Sequence, residues 1–215
     1  MNVDCIIGMS LDGRIDWIKD TETLQETYYG LVMTKHYDAV LCGSNTMLQA
    51  QYDENNTRKY SDQTLIVVDS KGRIHNWNII KKQAWWNDTP IVLCSKQTPQ
   101  AYLDSLKKEN VHYIITGTEH IEINEAIRIL EETYGISSLR IDSGGVLLGK
   151  MLRNKSVNTV TAIIAPQLTG GTTPKTIFVD SDVCDEAEIT NLKLVKSVVL
   201  KNDFVALSYE IKADN

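Results

Sequence analysis

Leu139-Arg140-Ile141-Asp142-Ser143-Gly144-Gly145-Val146-Leu147-Leu148-Gly149-Lys150-Met151-Leu152 reads as a short strand that runs through two consecutive glycines straight into a helix. Leu147, Leu148, Met151 and Leu152 recur at helical spacing and give that helix an apolar face. Glycine adopts torsions barred to other residues and lets a ligand approach the backbone. The helix start adds unpaired N–H groups and the positive end of a dipole, a combination suited to phosphate. The pair is not a full GxGxxG, and a tight strand-to-helix turn without a ligand explains it equally on these residues alone.

Working outward, the same strand-then-helix pattern repeats. Nearly unbroken apolar runs at 3–7, 39–42, 64–68, 91–94, 113–116, 139–141 and 159–165 predict strands buried on both faces of a mainly parallel sheet. Leu24, Tyr28 and Leu31 mark a helix within 22–36. Thr98-Pro99 predicts an N-cap with Pro at the first helical position, and Asn124 is expected to cap a helix over 125–134 that stops at Gly135. A further helix is expected over 146–153. Residues 192–200, the turn Lys201-Asn202-Asp203 and residues 204–211 predict an antiparallel hairpin closing one sheet edge. The fold class expected is α/β, three layers, with a mainly parallel central sheet flanked by helices and this C-terminal hairpin. Without repeats or a Pro/Gly-rich hinge, residues 1–215 are read as one domain. The polar stretch 49–63 is expected to be a mobile loop near the site.

Composition removes several function classes. The 215 residues are 42% hydrophobic and 23% charged, ordinary for a globular chain, with a net charge of -6 and no basic stripe for nucleic acid. No run approaches the ~20 apolar residues that span a bilayer, and the first residues lack the pattern of an export signal; a cytoplasmic protein is expected. Cys5, Cys42 and Cys94 lie in apolar runs and read as buried thiols, with Cys184 far from them. His36, His75, His112 and His120 have no metal-ligand spacing, so no metal is expected.

Three further segments carry polar groups at strand ends. Gly43-Ser44-Asn45-Thr46 follows the strand at 39–42 and opens a helix; simple capping and phosphate binding both fit it. Two glycine-marked helix starts after separate strands suit the two ends of an extended dinucleotide. Ser10-Leu11-Asp12-Gly13-Arg14-Ile15 follows the first strand and contains a turn. Asp69-Ser70-Lys71-Gly72-Arg73 offers a hydroxyl and two cations, either a solvated turn or a 2′-phosphate site that favours NADPH over NADH.

In this order the segments resemble the RibD-type reductase domain of riboflavin biosynthesis, within the dihydrofolate reductase-like superfamily. The matching stretches are Ser10–Ile15, Asp38 through Thr46, Val67-Val68-Asp69-Ser70, Gly144-Gly145 with its helix, and Ile164-Ala165-Pro166-Gln167-Leu168-Thr169-Gly170-Gly171. The resemblance implies NADPH-dependent reduction of the ribosyl group of a phosphoribosylamino-pyrimidine to ribityl. It implies a stand-alone form without the deaminase domain often fused to this reductase, and a homodimer, for which the Trp85-Trp86 pair is a candidate interface. It also implies that Gly43, Ser44, Thr46, Ser70, Gly144, Gly145 and Val146 hold the cofactor, while Asp12, Arg14, Arg58 and Ser143 face the substrate. No catalytic residue follows from it. The family's usual Lys in the opening motif is Arg14 here, and two acids expected near the site are replaced by Ala50 and Ser143. These departures keep a dihydrofolate or other pterin reductase in view, with Asp20, Glu22 and Glu26 as candidate carboxylates. A non-catalytic nucleotide-binding protein is the remaining alternative.

Overall fold

Leu65, Ile66 and Val67 are fully buried, and Val40, Leu41 and Cys42 are nearly so, as expected of strands covered on both faces. The structure, a computed structural model, describes residues 1–56 and 61–212. In chain order the elements are β1 (Asn2–Ser10), α1 (Thr21–Val32), β2 (Ala39–Gly43), α2 (Ser44–Gln49), β3 (Thr64–Val68), α3 (Trp77–Ile80), β4 (Ile91–Cys94), α4 (Gln100–Lys108), β5 (His112–Ile115), α5 (Ile123–Tyr134), β6 (Ser138–Ile141), α6 (Gly145–Arg153), β7 (Thr159–Ala165), β8 (Leu192–Val199) and β9 (Val205–Ile211). The class is the expected one: α/β, mainly parallel strands with helices between them, ending in an antiparallel hairpin.

By contacts the chain forms two units. The first, Met1 with Tyr37–Asp142, carries five parallel strands in the order β5-β4-β3-β2-β6. Its core gathers Trp77, Leu65, Val67, Val92, Cys94 and Leu106. The second, Asn2–His36 with Ser143–Asn215, has the strand order β1-β7-β9-β8. Here β1 and β7 run parallel, while β9 is antiparallel to both β7 and β8. Ile6, Val32, Ile163, Ala165 and Phe204 form its core.

Several local expectations are corrected. Thr98 does not cap α4; Pro99 holds the cap position, and the Thr98 hydroxyl instead donates to the Ser70 carbonyl at 2.8 Å. Asn124 lies inside α5, whose cap is Glu122, although Gly135 closes the helix in the left-handed conformation as expected. Trp86 is buried, its indole donating to the Ile80 carbonyl at 2.7 Å, so only Trp85 of that pair is exposed. Cys5, Cys42 and Cys94 are buried and form no disulfide, and burial pushes Cys94 up to about 12.

Gly149 shows how closely α6 is packed within the second unit. A Cβ there would stand 2.4 Å from the Val179 carbonyl oxygen, a backbone atom that cannot rotate away. Gly149→Ala is therefore expected to destabilise the protein by about 1–3 kcal/mol, read as a lower urea midpoint. An unchanged midpoint contradicts this packing.

Candidate active site

In the first unit, β2 and β3 are parallel neighbours, with Gly43 opposite Val68, so the turns that leave them emerge side by side. Asp69 follows β3 and is almost fully buried. Its Oδ2 accepts the backbone N–H of Arg73 at 2.7 Å and of Ile74 at 2.8 Å. Gly72, at φ +65, lets the chain reverse between them, and a Cβ there would stand 2.7 Å from the Tyr102 ring. The turn carries the exposed Arg73 guanidinium back to the start of α2. There it donates to the Ser44 hydroxyl and, at 2.9 Å, to Asn45 Oδ1.

Arg73 and Ser44, read from two separate segments of the sequence, thus meet in one place, and Ser70 lies in the same turn as Arg73. Thr46 is exposed on the first turn of α2, and Lys71 is exposed beside Ser70. The donor set is a guanidinium, an ammonium and hydroxyls, and the turn's only carboxylate is buried and spent on backbone. That chemistry fits a phosphate group of a nucleotide.

In the second unit the glycine pair has a different basis. A Cβ on Gly144 would stand 2.7 Å from Ile7 Cδ1, so packing alone excludes a side chain. Gly145 takes φ +62, and its amide donates to the carbonyls of Thr176 at 3.2 Å and Ile177 at 3.0 Å. The expectation that this amide serves a phosphate is corrected, because the protein already uses it. Val146 is exposed, and its amide, next in the first turn, has no carbonyl four residues back within the helix. Ser143 is buried.

Asp12 and Arg14 organise the loops after β1. The Asp12 carboxylate accepts from the Ser10 hydroxyl at 2.5 Å and from the amides of Gly170 at 2.7 Å and Thr169 at 3.2 Å. The Ser10 bond first, then that of Gly170, lowers its pKa to about 2. Arg14, expected to face substrate, is buried. Its guanidinium donates to Asp16 at 3.2 Å and to the Thr173 hydroxyl at 2.8 Å, and also to the Thr173 carbonyl. The donor edges of Arg14 already bind Asp16 and Thr173. Arg58 lies outside the described residues.

The acids that kept a pterin site in view are all exposed. Asp20 caps α1 by accepting the Thr23 amide at 3.2 Å, and Glu26 pairs with Lys201. Among the described residues no group of three or more His, Cys, Asp or Glu is placed to hold a metal ion, and no helix is long and apolar enough to cross a membrane.

Strand order, parallel pairing and the closing hairpin define an α/β chain of dihydrofolate reductase-like fold. Dihydrofolate reductase from Enterococcus faecalis, solved with NADP(H), aligns over 99% of this chain and 97% of its own at 9% identity and TM-score 0.50. A pyrimidine reductase-like protein from Corynebacterium diphtheriae aligns over 99% of this chain and 92% of its own, at 15% identity and TM-score 0.74. The riboflavin biosynthesis reductase of Saccharomyces cerevisiae aligns over 98% and 90%, at 20% identity and TM-score 0.67. The RibD C-terminal domain family model matches residues 2–206, and the chain belongs to that family.

The carboxylates of these loops make an acid-stability prediction. Asp38 accepts from Ser137 and from the Ser138 amide and, like Asp12, is lowered to about 2 from 3.8. A depressed folded pKa contributes stability that is present above the unfolded value and lost as pH falls through the folded one. The urea midpoint is therefore expected to fall between pH 4 and pH 2, and to fall less in Asp12→Asn and Asp38→Asn. Parallel acid profiles for all three proteins contradict the assignment.

Proposed function

We propose that this chain is a reductase that uses NADPH to reduce the ribosyl group of a phosphoribosylamino-pyrimidine to ribityl, in riboflavin biosynthesis in the cytoplasm. The observation that carries the reading is the convergence of Arg73, Ser44 and Asn45 at neighbouring strand ends, a phosphate-suited cluster in a chain of this family. Bound, the nicotinamide supplies the hydride that the ribose C1′ accepts.

The chain's own part is binding and orientation. Arg73, Ser44, Thr46 and Ser70 hold the adenosine phosphate end, with Gly43 opening α2. Gly144, Gly145 and Val146 supply further cofactor contacts, through the Val146 amide and the glycine backbone rather than the Gly145 amide. Ser143 faces the phosphorylated pyrimidine, and Arg58 is its phosphate partner by family resemblance alone. Asp12 fixes the backbone of Thr169 and Gly170, and Arg14 fixes Thr173, so both shape the substrate end without touching it.

A pterin substrate is the weaker reading, since none of Asp20, Glu22 and Glu26 is buried. A homodimer is part of the proposal; Leu194, Val195 and Val199 of β8 leave an exposed apolar edge for it. Light scattering is expected to give twice the chain mass, and a strictly monomeric mass rejects that part.

Purified protein is expected to oxidise NADPH when given the deaminated or the diamino phosphoribosylamino-pyrimidine, and not with dihydrofolate. NADPH binding without turnover on either pyrimidine would instead establish a nucleotide-binding protein. Arg73→Ala should raise the KM for NADPH about 10–100-fold, the equivalent of ~1.5–3 kcal/mol for a charged hydrogen-bonded contact, with little change for NADH.

A further inference from the structure

Asp69 is almost fully buried at the end of β3. Its Oδ1 is buried and turned toward the Tyr102 hydroxyl, which also faces the Trp77 indole. Burial pushes the Tyr102 hydroxyl far above its ordinary range, with the negative charge of Asp69 the next cause. A carboxylate buried in such surroundings without a cation against it costs stability. What it obtains in return is confined to the turn: Oδ2 takes the Arg73 and Ile74 amides, and the Asp69 carbonyl takes the Gly72 amide at 3.4 Å. Outside the turn, the Thr98 hydroxyl holds the Ser70 carbonyl and accepts the Ser95 amide at 2.9 Å. All but the Ser95 bond fix backbone between Asp69 and Ile74. The side chain so aimed is Arg73.

We propose that Asp69 is a positioning residue for cofactor choice: by fixing the backbone of the turn it pre-orders the Arg73 guanidinium over Ser44 and Asn45, and so sets the preference for a 2′-phosphorylated nucleotide. The proposal rests on the cofactor reading above, in which Arg73 meets that phosphate. An arginine on a loose turn loses rotamer and backbone freedom when it binds, whereas one already held in place loses little. The effect falls on the 2′-phosphate alone, so NADH binding is untouched.

The test is a calorimetric titration with NADPH and with NADH of wild type, Asp69→Ala, Asp69→Asn, Arg73→Ala and the double variant Asp69→Ala/Arg73→Ala. Asp69→Ala is expected to lower the NADPH-over-NADH affinity ratio roughly tenfold, by losing the bonds that order Arg73, while NADH affinity holds. Asp69→Asn keeps an acceptor for the two amides and is expected to restore most of the ratio. The double variant should have the ratio of Arg73→Ala alone, because Asp69 acts only through Arg73.

An unchanged ratio in Asp69→Ala beside a collapsed one in Arg73→Ala overturns this proposal and leaves the cofactor reading standing. Additive losses in the double variant also overturn it, because they show a general structural role. An unchanged ratio in Arg73→Ala overturns the cofactor reading itself. Should Asp69→Ala fail to fold, Asp69→Leu removes the acceptor for the Arg73 and Ile74 amides while filling the same space. A lowered ratio there supports the proposal, and an unchanged one overturns it.

Discussion

Aspartate carboxylates that accept backbone amides hold the turns at the strand ends, and the placement of the Arg73 guanidinium depends on one of them. A parallel strand ends with its chain heading away from the sheet, and the turn that follows has few ladder partners of its own. Asp69 fastens the turn after β3, Asp12 fastens the 169–170 loop in the second unit, and Asp38 fastens the chain entering β6. Each is a charge-assisted bond, stronger and shorter than a neutral one, which suits loops that must hold polar side chains without a surrounding core.

Much of the fold was legible because buried parallel strands are written as nearly continuous β-branched runs. The runs at 64–68, 91–94 and 159–165 coincide with β3, β4 and β7. α3 went unread because four residues contain barely one helical turn and so show no period, although its Trp77 is fully buried. Thr98 misled because a hydroxyl before proline usually caps a helix, and here a carbonyl from a different turn competes for it. Trp86 misled because a tryptophan in a polar context reads as exposed until the carbonyl of Ile80 is seen to take its indole.

The site was legible in part, and the division has a physical cause. The strand-end segments were found from composition, since hydroxyls, glycines and cations after an apolar run are a local signal. What a single sequence does not carry is which of those groups meet. Arg73 and Ser44 are 29 residues apart and come together through the pairing of β2 with β3. Arg14, expected at the substrate end, is buried because Asp16 and Thr173 form a socket for it, the latter from 159 residues away. The double glycine drew attention as a phosphate loop, yet Ile7 explains the first glycine and the carbonyls of Thr176 and Ile177 engage the second. The weight of the cofactor reading accordingly moves from Gly144-Gly145 to the Arg73 cluster.

The most direct measurement is a crystal structure of the chain grown with NADPH. The account predicts the adenosine 2′-phosphate within hydrogen-bond distance of the Arg73 guanidinium and the Ser44 hydroxyl, with Asp69 still holding the Arg73 amide. Nucleotide density that leaves Arg73 resting on Ser44 and Asn45, with the 2′-phosphate elsewhere, would contradict it.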